Sequence, residues 1–193
     1  LAWTQFETPV TISLSQKENV RPGEVATIIV NAEMDDEWRI YALRDQGKGP
    51  VASKVTISGD IVQEVGMVME NDPIVKYDDA FETTTRTHHG GTSFEAPFLV
   101  KSDFSAAEYD IKVSVLYQVC NATLCYPPNK ESFDFRVKID EGPPRDGYSD
   151  MVFEGQISGY GTVYVAFKVA SINSSKNSGT LDGQGRTILE NGT

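Results

Sequence analysis

Tyr109-Asp110-Ile111-Lys112-Val113-Ser114-Val115-Leu116-Tyr117-Gln118-Val119-Cys120-Asn121-Ala122-Thr123-Leu124-Cys125-Tyr126-Pro127-Pro128 is the stretch that decides how this chain reads. Its first half places Ile111, Val113 and Val115 on one face, the period-two pattern of a strand. Its second half carries the only two cysteines of the 193 residues, four residues apart, with aromatics and a double proline around them. A disulfide between Cys120 and Cys125 would close a very short loop. Such a loop constrains the unfolded chain by about 2 kcal/mol, against about 4 for a loop of about fifty residues. A bridge that holds a β-sandwich together joins distant strands. This one stabilises little, so its value lies in being made and broken, and redox exchange is the leading reading.

Working outward, the β pattern continues almost throughout. Strands are expected at residues 10–14, 25–32, 38–43, 55–57, 61–65, 94–100, 109–119 and 133–139, the last with Phe133, Phe135, Val137 and Ile139 on one face. Arg21-Pro22-Gly23-Glu24 reads as a turn, and residues 44–50 as a loose loop. No amphipathic helix and no internal repeat is found. Short strands separated by turn signals imply an all-β, antiparallel β-sandwich. The best boundary is Glu141-Gly-Pro-Pro-Arg-Asp-Gly147, which divides a domain of residues 1–142 from a β-rich extension of residues 143–193. In that extension, strands are expected at 151–156, 161–172 and 186–189, with a polar Gly/Ser/Asn-rich stretch at 173–185.

Composition narrows the function. Hydrophobic residues make up 39% and charged residues 23%, enough apolar surface for a core. The net charge of −11 argues against nucleic acid, since no basic surface would displace counterions from phosphates. No apolar run is long enough to span a membrane. The chain begins at Leu1 without a basic leader region, so an exported protein would be present here in mature or trimmed form. The abundance of Thr, Ser, Asn and Gly in β segments fits export. Asn121-Ala-Thr, Asn173-Ser-Ser and Asn191-Gly-Thr match the glycosylation triplet, a pattern common by chance.

The cysteine segment Tyr117-Gln-Val-Cys120 and Cys125-Tyr-Pro-Pro128 resembles the N-terminal periplasmic domain of the thiol:disulfide interchange protein DsbD, the disulfide bond corrector family. Other pieces follow in the family's order: Arg21-Pro-Gly-Glu before the strand at 25–32, Asp36-Glu-Trp38-Arg-Ile-Tyr41, and Lys76-Tyr-Asp78-Asp79-Ala-Phe81-Glu. The resemblance covers residues 8–140. The chain carries one residue fewer between its cysteines than the family's best-known members, a change that bears on reduction potential. The resemblance implies an immunoglobulin-like sandwich, a periplasmic or otherwise exported location, and an electron-transfer role as a thiol–disulfide oxidoreductase relay. Electrons would pass from a thioredoxin-like donor to exported disulfide oxidoreductases through Cys120 and Cys125, within a larger membrane protein or alone. It favours Cys125 as the cysteine that forms the mixed disulfide.

Thiol–disulfide exchange needs an attacking thiolate, an accessible sulfur and a good leaving thiol. No Lys, Arg or His adjoins either cysteine in sequence, so nothing local lowers a thiol pKa, which suits a relay that reacts only when docked. Phe81, with Tyr77, Asp78 and Asp79, forms a second constellation. A Phe in a polar loop is costly to expose, and the resemblance makes it a cap over the cysteines, with Asp79 near the sulfurs; the alternative is a core Phe beside solvated aspartates. Trp38, Tyr41, Tyr117 and Tyr126 are either core aromatics or, for Tyr41 and Tyr126 first, residues flanking the cysteines. Pro127 and Pro128 cannot donate ladder hydrogen bonds and end or edge the strand. His88-His89 reads as a solvated turn before Gly90-Gly91, because strand neighbours point to opposite faces and make a poor metal pair.

No metal and no cofactor is expected. Two other readings stand beside the relay. One is an immunoglobulin-like binding module whose disulfide is purely structural. The other is a metal chaperone using Cys120, Cys125 and a Met or His.

Overall fold

The computed structural model describes residues 8–43, 49–79, 81–157, 161–168, 180–181 and 187–188, which form sixteen β-strands, numbered in chain order, and no helix. Three sheets build the body. The first runs β1 (Val10–Gln16), β2 (Val25–Met34), β9 (Gly91–Val100) and β5 (Val62–Val65), with β6 (Met69–Glu70) also on β9. The second runs β12 (Asn129–Ile139), β10 (Ala107–Tyr117) and β4 (Lys54–Ser58). The third runs β11 (Val119–Cys120), β3 (Arg39–Tyr41), β8 (Thr83–His89) and β7 (Ile74–Asp78). All of these ladders are antiparallel. The chain is an immunoglobulin-like antiparallel β-sandwich with a β-rich C-terminal extension.

The core follows from alternation. On β2, Ala26, Ile28, Val30 and Ala32 are buried, and their intervening neighbours are not. On β9 the run from Ala96 to Val100 is buried throughout, together with Phe94, and on β10 Ile111, Val113, Val115 and Tyr117 are buried, with Ser114 buried among them. Register brings Val113 between Phe133 of β12 and Ile57 of β4, all on one face because opposed residues in a ladder share a side. Burying each such aliphatic or Phe side chain contributes about 1.5–3 kcal/mol before entropy is counted. Phe133 and Phe135, on edge strand β12, are only half-buried.

After Tyr117 the chain leaves the second sheet, and at Val119 it joins the third. Val119 lies opposite Ile40, and Cys120 opposite Arg39. Well-packed core strand and cysteine are thus nearly continuous.

Strands β6, β7 and β8 were not expected from the sequence. β8 reads Thr-Thr-Thr-Arg-Thr-His-His, without an apolar alternation to mark it. It also corrects the reading of His88 as solvated: His88 is buried, its Nε2 lies 3.0 Å from Glu70 Oε2, and its ring meets Phe94 edge-on. His89, one residue on, is exposed, as strand geometry requires. The turn that follows uses Gly90 at φ 69, left-handed backbone that a side chain would strain.

Beyond residue 142, the segment 143–151 is tied to the sandwich. The Glu24 carboxylate is fully buried and accepts bonds from the Arg145 backbone N–H and guanidinium, at 2.6 to 2.9 Å, and from the Arg21 N–H at 2.9 Å. Burial opposes that charge, but the bonds from Arg145 and Arg21 outweigh it and hold the Glu24 pKa at about 2. Val25 N donates to Tyr148 O, Ser149 Oγ to Gly23 O, and Met151 is buried. Next come the hairpin of β13 (Asp150–Ile157) with β14 (Gly161–Lys168) and the short pair β15 (Thr180–Leu181) with β16 (Thr187–Ile188). The stretches expected at 44–48, 169–172, 173–179 and 182–186 lie outside the described residues.

Candidate redox site

Cys120 and Cys125 are joined by a disulfide across a tight hairpin, with Cα atoms 4.1 Å apart. Opposed positions across an antiparallel bridge account for this closeness. The hairpin is braced without its sulfurs. Asn121 N donates to Leu124 O and Tyr126 N to Val119 O, at 2.8 and 3.0 Å. The Asn121 side-chain oxygen accepts from Thr123 N, Thr123 Oγ1 and Leu124 N, the side-chain-to-backbone turn that Asn favours. Gln118 adds a clamp, donating to Tyr126 O while accepting from Val51 N.

The two cysteines differ in access. Cys120, at the end of the core-registered strand, is 0% exposed. Cys125 is half-buried, on the outer limb, between Leu124 at 48% exposure and the exposed Pro127 and Pro128.

Aromatic residues surround this hairpin in two distinct ways. Trp38 and Tyr126 are half-buried and stacked, 5.2 Å apart and nearly parallel, one preceding Arg39 and the other following Cys125. Tyr41 and Tyr117 are fully enclosed core residues. Burial pushes the Tyr41 phenol up, with the Arg39 side chain beside its hydroxyl pulling the other way. Tyr117 is held at about 12 by burial and then by its bond to Glu131.

Strand register assembles a charged group on the face that carries the sulfurs. Cys120 opposes Arg39, and Arg39 opposes His89, so all three side chains project from one side of the sheet. The same alternation puts Tyr41, Thr87, Lys76 and Asp78 on that side. Arg39 and Asp78 form an ion pair at 3.6 Å, with side chains only 21% and 14% exposed. Partial desolvation of its ring, then the neighbouring Arg39, lowers the pKa of the otherwise exposed His89, keeping that ring neutral near pH 7.

Asp78 ends β7, and the turn that begins there holds Phe81, whose N–H points at Asp78 Oδ1 across 3.4 Å. Phe81 is half-buried, Glu82 after it is left-handed at φ 52, and Asp79 is exposed. Tyr77 projects from the opposite side of β7 and is 55% exposed. The carboxylate paired with Arg39, the ladder partner of Cys120, is Asp78. Sequence reasoning missed Arg39. Arg39 comes opposite Cys120 across a ladder, from a residue far away in the chain.

An all-β sandwich whose only disulfide spans a self-braced hairpin, one cysteine buried and the other partly exposed, belongs to the class of immunoglobulin-like domains that carry a short-loop disulfide. The family model described as "Thiol:disulfide interchange protein DsbD, N-terminal" matches residues 11–137. The chain belongs to that family and is a thiol–disulfide exchange domain. No curated protein matches the sequence. Among solved structures it is similar to the reduced N-terminal domain of Neisseria meningitidis DsbD, at 17% identity and a TM-score of 0.42, over 66% of this chain and 85% of that one. It is also similar to the N-terminal periplasmic domain of ScsB from Proteus mirabilis, at 16% identity and a TM-score of 0.48, over 76% of this chain but only 52% of that one. Among the described residues no helix is long and apolar enough to cross a membrane.

Proposed function

We propose that this domain is an exported, periplasmic electron relay. It takes electrons from a thioredoxin-like donor and passes them to exported disulfide oxidoreductases through reversible opening of Cys120–Cys125. Family membership supports an exported domain that works with thioredoxin-like proteins, and DsbD itself would place it within a larger membrane protein.

One observation carries the direction of the chemistry: Cys120 is sealed while Cys125 is half-exposed beside Leu124. Exchange requires in-line approach to an accessible sulfur. The reachable sulfur is the one that forms the mixed disulfide, and Cys120 is the leaving and resolving thiol. The domain of residues 1–142 holds this chemistry, and the extension of residues 143–193 stands outside it. Phe81, in the turn with Asp78 and Asp79, forms the tip that shields the site, with Tyr41, Trp38 and Tyr126 beside the sulfurs; Tyr77, on the other side of β7, flanks that tip from outside.

Titration of the Cys120–Cys125 pair across glutathione and dithiothreitol buffers, with thiol trapping and mass readout, tests this. A potential above roughly −260 mV lies in the working range of exchange proteins. A value below roughly −300 mV marks a structural bridge and favours the binding-module reading. Direction is read separately: Cys120→Ser leaves Cys125 free to accumulate a mixed disulfide with a thioredoxin-like partner, and Cys125→Ser does not.

A further inference from the structure

We propose that Arg39 sets the reactivity of Cys120, with Asp78 holding that positive charge in check until the site is engaged. The inference deepens the exchange reading and rests on it. Its basis is the third sheet's register. Arg39 is the direct ladder partner of Cys120, and its guanidinium is sheltered from solvent. In such a place a positive charge favours a thiolate more than it would in bulk water.

The charge is not idle in the oxidised domain, because Asp78 pairs with it at 3.6 Å. Asp78 lies at the root of the turn that carries Phe81. Other groups on this face are His89, neutral near pH 7, and Lys76, with Tyr41 buried beside Arg39. Arg39 is thus the cationic residue that register sets opposite Cys120 on the same face, and Asp78 the anion paired with it.

The step balances as ordinary exchange with a dithiol partner. A partner thiolate attacks Cys125 Sγ, a new S–S bond forms there, and the Cys120–Cys125 bond breaks with its electron pair left on Cys120 as thiolate. Arg39 stabilises that leaving thiolate. The partner's second thiol then loses its proton and attacks the partner's own sulfur, releasing Cys125. The partner ends as a disulfide and the domain as a dithiol, two electrons and two protons having moved. A leaving thiol of lower pKa departs faster.

Arg39 is a positioning residue, so the decisive readout is a pKa. In the Cys125→Ser chain, ultraviolet thiolate absorbance against pH reports Cys120 alone. Added Arg39→Gln should raise that pKa by about one unit, about tenfold less thiolate at a given pH. Asp78→Asn should lower it by a comparable amount, and Arg39→Lys, which keeps the charge, should leave it near the parent value. In the chain with both cysteines, Arg39→Gln should slow reduction by dithiothreitol about threefold and Asp78→Asn should speed it.

Opposite shifts are the signature. A purely structural latch would make both neutral variants change in the same direction. That result, or a Cys120 pKa that neither variant moves, overturns the proposal. Failure of the exchange reading is distinct: it appears in the unsubstituted chain, as a potential below roughly −300 mV.

Discussion

Reducing Cys120–Cys125 should leave the sandwich folded and cost little stability. The bond spans a sequence separation of 5, and closing so short a loop constrains the unfolded chain by about 2 kcal/mol. Most of what shapes the native hairpin survives reduction. Asn121 keeps its bonds to Thr123 and Leu124, Tyr126 N stays on Val119 O, and Trp38 keeps its stack on Tyr126. A reduced Cys120 in its thiol form remains a small buried side chain and packs much as before. For a chain of this size 2 kcal/mol corresponds to a fall of about 4–8 °C in Tm. The assay is thermal unfolding by circular dichroism with and without a phosphine reductant, with thiol trapping to show that the bond is open. A drop of more than about 15 °C, or loss of the β signal at room temperature, would refute the reasoning and make the bridge a structural staple.

Two further outcomes follow from other parts of the structure. Phe81→Ala should speed reduction of the disulfide by small thiols, since it removes the half-buried ring from the turn rooted at Asp78; an unchanged rate would sink the cap. Glu24→Gln should cost about 3 kcal/mol near pH 7, as the Arg145 guanidinium and two backbone N–H groups lose their anion. The folded pKa of about 2 lies below the ordinary 4.5, so this contribution is fully present above about pH 4.5 and fades as pH falls toward 2. Urea unfolding of both chains should therefore converge on acidification; a gap that stays constant with pH would contradict the assignment.

Legibility in the sequence tracked apolar periodicity and little else. Strands β2, β10 and β12 announce themselves because apolar residues recur at every second position, as Ile111, Val113 and Val115 do, and β9 because its second half is a continuous buried apolar run. β8 does not, because its buried positions are Thr85, Thr87 and His88. A threonine can turn its methyl inward and a histidine can be satisfied by Glu70, but neither registers as apolar. The hairpin that carries Phe81 therefore looks like a loop in the sequence. Arg39 escaped notice for a different reason. Its relation to Cys120 is a register, and register depends on which strands pair, which no local pattern reveals. The bond between Glu24 and Arg145 is of the same kind.

Placing one cysteine on a core strand and the other on a hairpin limb has a chemical consequence. Cys120 inherits its position from β10: Val113, Val115 and Tyr117 are locked in the sandwich, and only Gln118 and Val119 intervene before the sulfur. Its position opposite Arg39 in the ladder is therefore held by packing. Cys125 has no such anchor. It sits beyond a four-residue loop, half-exposed, ahead of Pro127 and Pro128, which bring no N–H that would seat it deeper in a sheet. A partner thiol can reach it without disturbing the core, and the hairpin can yield locally as the sulfurs separate. Had both cysteines stood on core strands, opening the bond would have strained the sandwich. Had both stood in the loop, neither would hold a defined charge environment. The division between a fixed sulfur and a reachable one lets the bond be cycled at a cost of only about 2 kcal/mol in stability.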